Sequence, residues 1–384
     1  MTRPYFLMSA AMIGLAGLPA CAGESQPETQ QDSGVPFEIT EVAEFTQPWA
    51  LVFLPDGRML VTEKPGNMRW VTQGGETSDP FAGLPAVDEG GQGGLGDVIL
   101  HPDFEDNSTI YFSYVEAGEG DTRGAVVATA TLSLTENGGA LSDVTTIWRQ
   151  NPKVTGRGHF GHRLAFSPDG DYLFISSGER QKFDPAQDMA QNLGKIIRLY
   201  PDGSVPEDNP FYDQGGVTAQ IWSFGHRNPL GLAFNEKGEL WEHEMGPRHG
   251  DEFQLIERGE NYGYPIVSNG DHYSGEEIPD HDTRPEFRAP DAYWVPAISP
   301  AGLIFYGGEM FESWKGDAFI GGLSSRALVR VTFDCEDGAT ACEAERYSIN
   351  DQRVREIEEG PDGTIWVLTE SGSDGTLVKL TPAE

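Results

Sequence analysis

Positive charge is scarce in this chain of 384 residues, which sets 26 Lys and Arg against 61 Asp and Glu for a formal charge of −35. A surface so acidic repels phosphate backbones and anionic lipid headgroups, which argues against nucleic-acid binding and polybasic docking to membranes. Cysteine is nearly missing as well, with Cys21, Cys335 and Cys342 the only three. The last two enclose a polar loop, DCEDGATAC, suited to a local disulfide in an oxidising compartment or else left as two thiols. No nearby His or further Cys completes a set of zinc ligands around them. Long apolar runs are absent, and so is any long stretch of helical periodicity.

The one apolar run of note, Tyr5 to Leu18, falls short of the roughly 20 residues that span a bilayer. It follows Arg3 and leads into small residues, the pattern of a secretory signal over residues 1–20. Its ending, Leu18-Pro19-Ala20-Cys21, resembles a bacterial lipoprotein processing site, with Pro19 an imperfect fit. On that reading Cys21 carries a lipid anchor. Cleavage after Ala20 or Ala22 with release into the periplasm is the alternative. Residues 21–36, nearly devoid of aliphatic side chains, read as a flexible tether.

From residue 37 to 384 the chain is rich in turns, as 48 Gly and 26 Pro require, and it repeats a theme. WALVFLPDGRMLVTEK, LGDVILHPDFEDNSTIYFSYVE, HRLAFSPDGDYLFISSGE, LGLAFNEKGELWEHE, AGLIFYGGEMFESWKGDAFIGGL and VREIEEGPDGTIWVLTE are six copies of a short apolar strand, a turn and a second strand. They recur roughly every 45–70 residues, a period of repeat architectures. The expectation is an all-β fold, a six-bladed β-propeller of four-stranded blades, with ligands bound by loops around the central channel.

Four segments carry residues fit for chemistry at such loops. GRGHFGHRLAF places His159 and His162 before the third repeat with Arg163 beside them; these imidazoles suit proton abstraction near neutrality, metal ligation or an ordinary surface role. IWSFGHRNPLGLAF brings His226, Arg227 and Asn228 to the equivalent place in the fourth, where Arg227 either forks onto a carboxylate or braces its loop. WEHEMGPRHGDEF gathers Glu244, Asp251 and Glu252 about Gly246-Pro247, either an oxygen-rich calcium site or solvated surface. DQRVREIEEGPDG sets Arg353 and Arg355 on the same side of a strand, for an anionic ligand or for salt bridges to the abundant acids.

Taken in order, GGQGGLGDVILHPDF, HFGHRLAFSPDG, IWSFGHRNPLGLAF, HEMGPRHGDE, GENYGYP, DHYSG and RVREIEEGPDG strongly resemble the soluble pyrroloquinoline quinone (PQQ)-dependent aldose sugar dehydrogenases of the glucose/sorbosone dehydrogenase family, over nearly everything from Phe37 onward. The resemblance implies a six-bladed propeller that binds PQQ and Ca2+ over its channel, oxidises an aldose to its lactone and passes electrons to an external acceptor, a cytochrome or a quinone. It implies that His159 is the general base, with Arg163 beside it. Gln92, Arg227, Asn228, Tyr273, Arg353, Arg355 and Thr369 fall on cofactor-contacting positions. The carbonyls of Gly246 and Pro247 match the calcium that touches PQQ, while Glu252 and Tyr262 match a second, more structural calcium.

Three positions depart from the family pattern. His162 stands where a glycine is usual and puts an imidazole near the cofactor. Ser324 stands where a lysine commonly reaches the cofactor, leaving Arg326 as the nearby cation to replace it. Met245 occupies a place that is often polar. Two other functions stay open on this footing: a calcium-dependent lactonase, against which Arg353 and Arg355 argue because a neutral lactone offers them no carboxylate, and a non-catalytic sugar-binding propeller, for which Ser324 is the best support.

Overall fold

The computed structural model describes residues 35–336 and 338–383. The signal segment, Cys21 and all of the expected tether but Val35 and Pro36 lie outside them.

The recurring turns show how the sequence builds each hairpin. In Pro55-Asp56-Gly57, Pro168-Asp169-Gly170 and Pro361-Asp362-Gly363 the glycine takes a positive φ of 77 to 85°. The Asp side chain accepts the backbone N–H two residues on, at 3.0 to 3.2 Å. Proline fixes the first turn dihedral, glycine supplies the left-handed one, and the Asx bond locks both. The strands that follow the early turns, Met59–Glu63, Leu173–Ser177, Leu240–Glu244 and Ala318–Gly322, are buried at every residue. That is why they read as apolar runs rather than alternating ones.

Six antiparallel sheets result. Blade one holds Pro48–Phe53, Met59–Glu63 and Asn67–Val71; blade two Leu95–Leu100, Thr109–Ala117, Thr122–Leu134 and Gly139–Arg149, with Val154–Thr155 added alongside the third. Blade three holds Gly161–Phe166, Leu173–Ser177, Lys195–Leu199 and Ile221–Phe224, and blade four Pro229–Phe234, Leu240–Glu244, Asp251–Leu255 and Ala292–Trp294. Blade five runs from Pro300–Phe305 through Ala318–Gly322 and Ala327–Thr332 to Cys342–Ser348. Blade six joins Arg353–Glu359, Ile365–Glu370 and Asp374–Pro382 to the first strand of the chain, Phe37–Thr46. The first strands of successive blades pack side by side and close a ring, the six-bladed propeller.

Blade one departs from the expected four strands. After Val71 only single bridges follow, Val71 to Thr77 and Ala82 to Ala140, because Pro80 and Pro85 lack the N–H groups a fourth ladder would need. Aromatic and aliphatic side chains fill the seams between blades; one seam joins Leu51, Met59 and Val61 of blade one to Trp366 and Leu368 of blade six. Cys335 and Cys342 are disulfide-bonded across the turn between the last two strands of blade five. No helix among the described residues is long and apolar enough to cross a membrane.

Candidate active site

His159 sits at the mouth of blade three in the left-handed region, with φ +51°. Gly161, at φ +66°, lets the chain turn into the blade where a side-chain Cβ would lie 2.7 Å from the Gly178 nitrogen. The His159 N–H donates to Gln92 Oε1 at 2.6 Å, and its Nδ1 pairs with the Glu179 carboxylate. Glu179 also accepts the backbone N–H groups of Gln181 at 2.9 Å, Lys182 and Phe183 at 2.6 Å. Burial opposes its ionisation, yet the bond from His159 and these amides hold its carboxyl below the ordinary value. An acceptor-only carboxylate fixes the proton on Nδ1 and leaves the Nε2 lone pair free. Burial lowers the His159 imidazole below 6.5 against the pull of Glu179, and the Arg227 guanidinium adds to the lowering. At neutral pH the ring is an uncharged base.

It faces a cavity of ≈ 250 Å³ whose walls include Arg227, Pro247, Tyr264, His272 and Tyr273. Two of the lining residues carry a buried polar atom without a partner, Arg227 Nε and the Tyr264 hydroxyl; Asn228, which lines neither this cavity nor the larger one described below, leaves its Nδ2 unpartnered as well. Arg227 and Asn228 are held from behind, both backbone N–H groups donating to Glu244 Oε2. Arg227 Nη1 donates to the Met245 carbonyl at 2.8 Å. Among the described residues nothing donates to the carbonyls of Gly246 and Pro247, so both are open to a hard cation.

A larger cavity of ≈ 350 Å³ opens at the N-terminal ends of the innermost strands, lined by Trp49, Lys64, Gln92, His162, Met245, Arg353, Arg355 and Glu370. Both arginines rest on one carboxylate: Arg355 Nε donates to Glu370 Oε1 at 2.6 Å and Arg353 Nε to Oε2 at 3.2 Å. Lys64 Nζ donates to the Gly91 carbonyl at 2.8 Å, and burial, then the Arg355 charge, lowers its ammonium from 10.5. Three cations around one carboxylate, in so acidic a chain, leave this cavity with an excess of positive charge.

Several sequence expectations need correcting. Arg163 does not reach the cavity that His159 faces. Its Nε donates to the Leu230 carbonyl at 2.8 Å, its Nη1 is paired with Glu356 and lies 3.4 Å from Asp97 Oδ1, and its guanidinium stacks 4.0 Å from the Trp49 ring. Arg326 does not replace a missing lysine, because it is exposed and paired with Asp351 at 3.1 Å. Ser324 donates to the Ala297 carbonyl at 3.2 Å and lines neither cavity. Thr369 is buried and turned to Gln352 and the Thr376 carbonyl. His162 is buried too, stacked on Trp49 at 4.9 Å and paired with Ser113 Oγ at 2.8 Å. Glu252 lies 3.3 Å from His281 Nε2, and the Tyr262 phenol is held by Leu255 and Glu257, which leaves its main-chain carbonyl for a metal.

Lys64, Glu179 and Glu370 escaped the sequence reading. A signal existed: Glu63-Lys64, Glu244 and Glu370 leave the second strands of blades one, four and six at matching register, opposite Pro48, Pro229 and Arg353, and Glu179 follows shortly after the second strand of blade three.

Comparison with known proteins places the chain in a family. The family model described as glucose/sorbosone dehydrogenase matches residues 45–379. The chain is 39% identical over 345 residues to aldose sugar dehydrogenase YliI of Escherichia coli K12, covering 87% of this chain and 90% of that one. It is 26% identical over 416 residues to quinoprotein glucose dehydrogenase B of Acinetobacter calcoaceticus, covering 87% and 85%. Among solved structures, the apo soluble aldose sugar dehydrogenase of Escherichia coli superposes with a TM-score of 0.83 at 38% identity over 90% of this chain and all of that one. The PQQ-bound aldose sugar dehydrogenase of Streptomyces coelicolor superposes at 0.72 and 26% identity, over 90% and 98%. With the family model spanning most of the propeller and the Escherichia coli relative covered over nine-tenths of its length, this protein belongs to the glucose/sorbosone dehydrogenase family of oxidoreductases.

Proposed function

We propose that this chain oxidises aldose sugars to lactones with PQQ and Ca2+. The observation that carries the reading is His159: a neutral imidazole, its Nδ1–H locked by Glu179, with Nε2 free toward a cavity edged by unpartnered polar atoms. The residues fit the cofactor. Arg353, Arg355 and Lys64 suit its carboxylates, Gln92, Arg227, Asn228 and Tyr273 its polar edge, and the carbonyls of Gly246 and Pro247 suit calcium. When bound, PQQ supplies the hydride acceptor, and calcium favours charge on its oxygens.

The protein's own part is proton handling and positioning. His159 Nε2 takes the proton of the anomeric hydroxyl, and the Glu179 carboxylate stabilises the imidazolium so formed. Glu244, by accepting the N–H groups of Arg227 and Asn228, keeps that wall of the cavity fixed. Export by the N-terminal signal, a lipid on Cys21 and an external acceptor, a cytochrome or a quinone, complete the reading of a periplasmic enzyme. The lysine absent at Ser324 is made up by Lys64 from blade one.

The test is reconstitution of metal-free protein with PQQ and Ca2+, followed by glucose-driven dye reduction. Sugar turnover that needs both, and that falls about 10³-fold in His159→Ala with PQQ still bound, supports the reading. Absence of PQQ binding at micromolar concentration overturns it.

A further inference from the structure

Blade four contains a buried polar cluster of which the chemistry above uses one atom, Glu244 Oε2. Glu242 and Glu244 are two apart on the second strand, and Gln254 pairs with Glu242 across the ladder, so strand alternation turns all three to one face. His226, from the turn entering the blade, closes that face. All four are buried, His226, Glu242 and Gln254 completely.

The arrangement lacks a positive charge. His226 Nε2 is paired with Ser223 Oγ at 2.8 Å, which leaves Nδ1 facing carboxylates, 3.3 Å from Glu242 Oε1 and 3.9 Å from Glu244 Oε1. Nδ1 forms no hydrogen bond with either, and Glu242 Oε2 and Gln254 Oε1 are also without partners. Lys195, the nearby cation, directs its Nζ at the carbonyls of Pro185, Ala186 and Leu193 at 2.7, 3.0 and 2.7 Å. Among the described residues no Lys or Arg pairs with Glu242 or Glu244. Ligand atoms of His226, Glu242 and Glu244 all lie within 4.8 Å of one another.

We propose that His226, Glu242 and Glu244 bind a divalent first-row metal ion of the zinc class at a structural site in blade four. One imidazole nitrogen with carboxylate oxygens suits such an ion, whereas calcium takes six to eight oxygens and no imidazole. Two carboxylates neutralise the dication inside the fold, and Gln254 Nε2, donating to Glu242 Oε1 at 2.6 Å, holds one of them in place. Ser223 is the outer partner that leaves Nδ1 as the ligand, and the Tyr262 ring, 4.7 Å from the imidazole, covers it. The three ligands are other than the carbonyls of Gly246 and Pro247, they adjoin Glu252, which pairs with Glu244 across the ladder and faces the same side, and the site needs no quinone.

The test uses full-length protein stripped by chelator and returned to millimolar calcium, then titrated with ZnCl2 by calorimetry and metal analysis. One zinc per chain, not displaced by calcium and raising the thermal midpoint, is expected. Glu242→Gln, which keeps the shape and a hydrogen bond to Gln254, weakens zinc at least about 100-fold and leaves calcium binding unchanged. Cobalt in place of zinc gives visible d–d bands in the wild type that Glu242→Gln loses. Lack of saturable zinc binding, displacement by calcium, or unchanged affinity in the variant overturns the proposal. Should the variant not fold, the wild-type cobalt spectrum decides, and a spectrum without d–d bands overturns it equally.

Discussion

Two cavities on the propeller axis use arginine in opposite ways. At the N-terminal ends of the innermost strands, Arg353, Arg355 and Lys64 surround the single carboxylate of Glu370. Further along the same strands, a cavity of ≈ 130 Å³ is lined by Arg163, Asp97, Glu356 and Glu358, where one cation meets three acids. There burial pushes Glu356 up to about 7 even with Arg163 against it. In the first cavity positive charge is left over and is available to a ligand. In the second the arginine is consumed by its neighbours, so it holds strands together and has nothing to offer a substrate. Residue type did not separate the two; the number of carboxylates within reach did.

The comparison breaks most visibly at Arg163. Replacing it by Met leaves Asp97 and Glu356 buried without their cation and costs about 3–5 kcal/mol of stability, read by denaturant unfolding, while PQQ affinity of the folded fraction stays as it was. Arg355→Ala is the mirror case. Losing charge-assisted bonds worth about 1.5–3 kcal/mol weakens PQQ binding by one to two orders of magnitude in a quinone titration, and unfolding shifts by less than about 1 kcal/mol. An Arg355→Ala protein that lost stability but kept its PQQ affinity would erase the distinction.

His162 lines the first cavity and is followed directly by Arg163, which lines the second, and it sharpens the boundary through pH. Burial, with Arg163 beside it, pushes its imidazole down to about 3, so it folds uncharged while the unfolded chain titrates near 6.5. Its contribution is complete above 6.5 and is lost as pH falls toward 3. Relative to His162→Gly, the wild type therefore forfeits about 2 kcal/mol between pH 6.5 and pH 5, measured by paired unfolding curves. The smallest effect belongs to Lys64→Ala, which weakens PQQ about tenfold and flattens the salt dependence of binding.

The fold was legible because each hairpin carries its own turn chemistry: Pro, Asp and Gly in register between apolar strands need no distant partner to be understood. His159 and the paired arginines were legible for a similar reason, since local spacing places them at blade mouths. What stayed hidden depends on contacts between blades. Arg163 and Arg353 look alike in sequence, and only the approach of Asp97 from blade two and Glu356 from blade six shows that the first is already neutralised by its neighbours. Lys64 was passed over because it belongs to blade one, far along the chain from Arg353, Arg355 and Glu370, with which it lines the cavity. Blade one's missing fourth strand was written in Pro80 and Pro85, but a six-copy count conceals a short member.

The pairing of Phe37–Thr46 with Asp374–Pro382 makes the ring a clasp whose two halves lie more than three hundred residues apart. Joining the ends of a flexible chain that long costs about 5 kcal/mol of conformational entropy, and the return comes only when the last strand exists. Until then blade six is an open arc with bare backbone edges, the state most prone to pair with another chain. The same geometry means that a truncation of a dozen residues at either end of the propeller reopens the circle, far from any residue that does chemistry.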